Sequence, residues 1–196
     1  MNDAATLTRA VLDFWFLPAD HPDHGSYRSE WFRKDDAFDA AIRERFATAV
    51  DAALSESTGE GPDETLLARI LLLDQFTRNI FRGTSHAFAG DAKAKALAET
   101  LVTAGRDKNL SPWQRWFAYL PFEHGESLLD QERSVALFAG LRREMQHEAF
   151  DSAYDYALRH REVIERFGRF PHRNAILGRE STAEEIEFLK QPGSSF

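Results

Sequence analysis

Apolar residues recur every third or fourth position along nearly the whole chain, and no stretch alternates apolar with polar as a half-buried strand would. Phe38, Ile42, Phe46, Val50 and Leu54 form one such ladder. A chain with this period must bury helix against helix, which predicts an all-α fold. The breakers divide it into about eight helices. The first covers residues 8–17 and stops at Pro18. The second starts at Asp35 or Asp36 and ends before Gly59, Gly61 and Pro62. The third covers 63–81, with Gly83 just beyond as its C-cap, and the fourth covers 91–104, closed by Gly105. Ser111, Pro112 and Gln114 make a strong start for the fifth, which Pro121 is expected to interrupt. The sixth continues to about Arg143. The seventh covers 148–167 and meets Gly168. The last begins at Ser181 or Thr182, where Ser181 and Glu184 have capping-box spacing, and ends before Pro192. The connections are short, so a single helical domain is expected over 1–190, with 191–196 as a frayed tail.

Composition narrows the function classes. Among 196 residues, 24 Lys and Arg stand against 32 Asp and Glu, a formal net charge of −8. That argues against a nucleic-acid or anionic-membrane partner, which calls for a basic surplus. With no cysteine there are no disulfides, thiolate nucleophiles or cysteine-held metals. Phosphate-binding glycine loops, HExxH, calcium loops and nucleophile-elbow serines are missing, so no cofactor is implied. The acidic start and the short apolar run 66–73, broken by Arg69, carry no targeting or spanning signal, so a cytoplasmic protein is expected. Nothing in the residues fixes an oligomeric state.

The informative residues are polar ones at positions where the helical period calls for apolar ones. In the helix from Pro121, Leu128, Val135 and Phe138 share an arc with His124 and Gln131, while Glu126, Asp130 and Arg133 project to the other side. His124 and Gln131 therefore point inward. In the helix ending at Phe167, His160 and Arg161 flank the apolar face. In the third helix, Asp74, Gln75, Arg78 and Arg82 occupy one arc, with Asp74 and Arg78 at i, i+4 spacing, and no Lys or Glu stands between Ile70 and Phe81. The segment 159–179 holds six arginines and two glutamates, a local +4. From it a tight loop projects Arg169, His172, Arg173 and Asn174. Each group also has a structural reading: a hydrogen-bonded core histidine, a salt bridge, a solvated face, or arginines tied to helix-end carbonyls.

Three segments carry a resemblance: LLLDQFTRNIFRGT at 71–84, YLPFEHGESLLDQ at 119–131 and RFGRFPHRNAILGREST at 166–182. With DFWF at 13–16 and WFRKDDAFD at 31–39, they make the chain similar to the bacterial family called domain of unknown function 924. The resemblance implies a tetratricopeptide-like right-handed α-α superhelix of antiparallel helix pairs, and no established activity. Thr77 stands where the family motif commonly has proline, and Gly125 where it commonly has serine, which speaks against a serine-based chemistry here.

Two functions fit. The first is an internal polar pocket for a small anionic or phosphorylated ligand, with or without catalysis. His124 and His160 would be its acid–base candidates. Asp74, Arg78, Asn79, Arg82, Gln131, Arg161, Arg169, His172, Arg173 and Asn174 would complete the lining. The second is a helical scaffold holding a peptide in a concave groove, with Trp15, Trp31, Trp113 and Trp116 as aromatic anchors. A metal site drawn from His124, His160, His172, Asp74 and Glu126 has no supporting local spacing, so no metal is expected.

Overall fold

A computed structural model describes residues 3–57 and 59–195; Met1, Asn2, Thr58 and Phe196 lie outside the described residues. It is all-helical, with no strand among the described residues. The chain divides into two compact units. Unit 1 comprises 1–82 and 86–121, and unit 2 comprises 83–85 and 122–196.

Unit 1 is built on aromatic packing. Helix α1 (Asp3–Phe16) starts earlier than the sequence period suggests and ends where Leu17 adopts a left-handed φ of 69° ahead of Pro18. Arg28 donates to the last carbonyls of α1, those of Phe14 and Trp15, at 2.8 and 2.7 Å. The Trp31 indole donates to Trp15 O at 2.8 Å. Asp35 caps α2 (Asp36–Ser55) by accepting from the Ala37 and Phe38 amides, and the expected ladder buries Ile42, Phe46 and Val50. In the core Trp15 meets Phe76 at a tilt at 5.4 Å and Phe117 edge-on at 5.3 Å. All four tryptophans are buried, so none is available to anchor a peptide.

The third predicted helix is present but not uniform. It runs as α3 (Asp63–Ile70), a π-helical segment (Leu71–Phe76) and α4 (Thr77–Ile80). Residue-level periodicity gives no warning of a widened turn, because every residue from 71 to 76 is buried. Thr77 donates its hydroxyl to Leu73 O at 2.8 Å. The next segment, α5 (Asp91–Thr103), begins after Gly90, which presses against the widened turn. A Cβ at Gly90 would lie 2.1 Å from Leu73 O, so only glycine fits there. Helix α6 (Pro112–Glu123) starts with the expected Ser111/Gln114 capping box.

Unit 2 contains α7 (Leu128–Glu144), α8 (Glu148–Phe167) and α9 (Ala183–Leu189). A three-residue connection makes α7 and α8 antiparallel, and they pack along each other. Gly168 ends α8 in the left-handed region, with φ 67°. A 3₁₀ turn at Pro171–Arg173 follows, over a core of Val163, Ile164 and Phe170. Pro121 does not interrupt α6, which continues to Glu123; the break falls at 124–127. Leu128 is 44% exposed and Asp130 only 7%, the reverse of the expected sides, because the buried face of α7 runs through Asp130, Gln131, Ser134, Phe138 and Leu141. The capping box of the last helix is Thr182 with Glu185, one residue later than Ser181 and Glu184. Near the C-terminus Ser194 is buried and donates to Leu189 O.

Candidate functional site

The predicted polar residues separate into two groups, one in each unit. In unit 1, Asp74 is fully buried, 3.2 Å from Arg78, as the i, i+4 spacing anticipates. Arg78 also makes a two-point contact with Asp91, at 2.9 and 3.1 Å. The two flanking carboxylates hold the Arg78 guanidinium firmly charged against its burial. Arg82 grips Asp39 at 2.8 and 2.9 Å, and Asn79 donates to the same carboxylate at 2.7 Å. Burial alone would raise the Asp39 carboxyl; the bonds from Arg82 and Asn79 outweigh it and leave it below its ordinary value. Each cation of this group has a carboxylate partner within unit 1.

In unit 2, chain-distant segments converge on the ring of Phe170. The Arg173 guanidinium lies 4.5 Å from the ring centroid. The His160 imidazole meets the ring edge-on at 5.4 Å, and His172 lies at 5.7 Å. Arg173 donates to His124 O at 3.0 Å, tying the 3₁₀ turn to the break after α6. His160 Nδ1 is 2.9 Å from Tyr156 O. A carbonyl only accepts, so Nδ1 carries the proton and Nε2 is the basic nitrogen. The Glu123 carboxylate lies 3.4 Å from Nδ1.

These surroundings set the charge state. Burial pushes the His160 imidazole down to about 3; the Tyr156 carbonyl opposes this, and His124, Arg173 and His172 add to it. Burial, then the Arg173 charge, brings His172 down to about 4. Both rings are neutral near pH 7, held so by desolvation within a positive local field.

A second set of residues fixes this arrangement. Glu126 accepts from Arg179 at 2.6 and 2.9 Å and from the Phe170 amide at 2.8 Å. Burial acts to raise the Glu126 carboxyl, but Arg179 and the Phe170 amide bring it below its ordinary value. Asn174 is buried; it donates to Ser181 and Glu185 and accepts from Arg179. Arg169 is clamped on Glu185 at 2.7 and 2.8 Å, which together with the Thr182 amide holds that carboxyl down to about 2. Gln131 donates to the carbonyls of Phe122, Glu123 and Gly125, closing the end of α6. A Cβ at Gly125 would lie 2.7 Å from Asp130 Oδ2, so the serine expected from the resemblance requires Asp130 to shift. Arg161 is half-buried, and its Nε has no hydrogen-bond partner among the described residues.

Sequence reasoning did not single out Glu123, Phe170 as the hub, or Glu126 as the clamp of the loop. Glu126 was expected in water because the projection ran unbroken from Pro121. Among the described residues no group of three His, Asp or Glu side chains converges in a way that would hold a metal ion. A cleft of about 600 Å³ lies elsewhere in unit 2, bordered by Ala139, Arg142, Met145, His147 and Tyr154; none of the predicted site residues lines it.

Over residues 11–193 the chain matches the family described as bacterial protein of unknown function (DUF924). The chain belongs to that family. A solved structure described as a protein of unknown function, ATU0120 from Agrobacterium tumefaciens, is 38% identical, with a TM-score of 0.75. The match covers 96% of this chain and 99% of that one. No curated protein matches the chain. No helix among the described residues is long and apolar enough to cross a membrane.

Proposed function

We propose that unit 2 of this DUF924 protein binds a small anionic or phosphorylated molecule at the cluster around Phe170. One observation carries the reading: two imidazoles and a buried guanidinium share one aromatic ring, and both imidazoles are held uncharged. An anion arriving there offsets the field of Arg173. It draws protons onto the rings, turning them from acceptors into charged donors. His124 and His172 are half-buried and give the approach; Arg161, also half-buried and with no hydrogen-bond partner for its Nε among the described residues, stays in the proposed set. A ring whose proton affinity depends on the ligand is also suited to acid–base chemistry, which keeps His124 and His160 as the catalytic candidates. Asp74, Arg78, Asn79 and Arg82 belong to unit 1 and are a separate proposed set, apart from the unit 2 cluster, with Asp39 and Asp91 as their carboxylate partners.

Calorimetric titration with inorganic phosphate and with sulfate tests the reading. Saturable binding is expected, weakened at least tenfold in His172→Asn with the melting temperature kept. Absence of saturable heat for either anion, or equal binding by the variant, overturns it. The peptide-scaffold alternative has less support, since its tryptophan anchors lie in the core of unit 1.

A further inference from the structure

Two polar atoms in unit 2 stand apart from the networks described above. Gln131 and Ser134 are both fully buried, one helical turn apart on α7. Neither Gln131 Oε1 nor Ser134 Oγ has a hydrogen-bond partner among the described residues. The Gln131 amide cannot be turned over to relieve this. Its Nε2 faces three carbonyls, two of them at 2.7 Å, and exchanging the ends would set oxygen against oxygen. Its oxygen is therefore committed as an acceptor, while Ser134 can donate or accept. Leaving such groups buried and unmatched is costly, so the position is favoured only if something matches them.

Gln131 is connected to the Phe170 cluster through the backbone. Gln131 takes the carbonyls of 122, 123 and 125, and Arg173 takes that of 124. The two side chains thus grip one four-residue turn, and that turn carries His124 and Glu123.

We propose that Gln131 Oε1 and Ser134 Oγ form a subsite for a hydroxyl group of the ligand whose anionic end lies at the Phe170 cluster. A hydroxyl donates to Gln131 Oε1 and accepts from the Ser134 hydroxyl, matching both atoms at once. The ligand class is then a hydroxylated phosphate ester rather than a bare anion. This rests on the anion-binding reading above, and Ser134 enters as a specificity residue, not as an acid or base. A site built to hydrogen-bond a hydroxyl discriminates strongly against an analogue lacking it, because the buried partners are otherwise left unmatched.

The test uses the full chain and two probes, glycerol 3-phosphate and propyl phosphate, titrated calorimetrically into wild type and Ser134→Ala. The wild type is expected to prefer glycerol 3-phosphate at least tenfold. Ser134→Ala is expected to lose most of that preference while binding propyl phosphate as before. The same variant is expected to raise the melting temperature, since it removes an unmatched hydroxyl and places alanine in a helix. Equal wild-type affinities for the two probes overturn the hydroxyl subsite and leave the anion reading standing. Binding of neither probe overturns both. A lower melting temperature in Ser134→Ala shows that the hydroxyl is satisfied internally, and overturns the subsite.

Discussion

The two units use the same polar residue types to opposite ends. In unit 1, Asp74, Arg78 and Asp91 form one matched set, and Asp39, Asn79 and Arg82 another. Arg78 and Arg82 each meet a carboxylate within about 3 Å. In unit 2, the Glu126–Arg179 and Arg169–Glu185 pairs do the same, but they frame a cluster of a different kind. His160, His172 and Arg173 surround an aromatic ring, both imidazoles are uncharged, and Gln131, Ser134 and Arg161 each present a buried atom with no hydrogen-bond partner among the described residues, as does the Trp15 indole in unit 1. Matched charges hold a backbone in place; unmatched polar atoms kept at a cost to stability are what a binding site requires.

That contrast is breakable, starting with its largest effect. Arg78→Leu leaves Asp74 buried without its main cation and should cost about 3–5 kcal/mol in a urea melt. A loss under about 1 kcal/mol would mean that the unit 1 set is not a framework. Gly90→Ala, which drives a Cβ into Leu73 O, is expected to cost roughly 3 kcal/mol. Its stability is measured in the same way, and a neutral result would remove the close approach between Gly90 and the π-helical turn.

Acidification separates the buried imidazoles from the carboxylates by pH window. His160 and His172 have folded-state values near 3 and 4, below the ordinary 6.5 of an unfolded imidazole. The unfolded chain therefore binds protons first. The stability these rings contribute is fully present above about pH 6.5 and is lost as pH falls toward 4. Carboxylates held low, such as Asp39, begin to lose theirs only below their own ordinary range near pH 4. Urea melts between pH 7 and 4.5 should thus show a decline that His172→Gln reduces. A flat profile in that window would contradict the buried neutral rings. The smallest effect belongs to Arg161→Ala, which should change stability by less than about 0.5 kcal/mol while weakening phosphate binding several-fold. A large stability loss instead would make Arg161 part of the frame.

Much of this was legible in the residues. The helical period located α2, α5 and α8 closely, because their apolar ladders are unbroken and their ends carry Asp35, Gly105 and Gly168. The sequence singled out Gln131, His160, Arg173 and Asn174, each buried, as polar groups in unexpected places. The widened turn at 71–76 was not legible, since π geometry leaves the residue pattern apolar throughout. The position of Glu126 was missed because it lies in the break at 124–127, where a helical projection does not apply. The role of Phe170 as the surface on which three side chains meet needs three-dimensional contacts.

The central claim is that the Phe170 cluster accepts an anion. Its most direct test is a pH titration of the His160 and His172 ring resonances by NMR, with and without saturating inorganic phosphate. Bound anion should bring His172 up from about 4 toward its ordinary value, and His160 up in the same direction. Titration curves that coincide with and without phosphate would contradict the account.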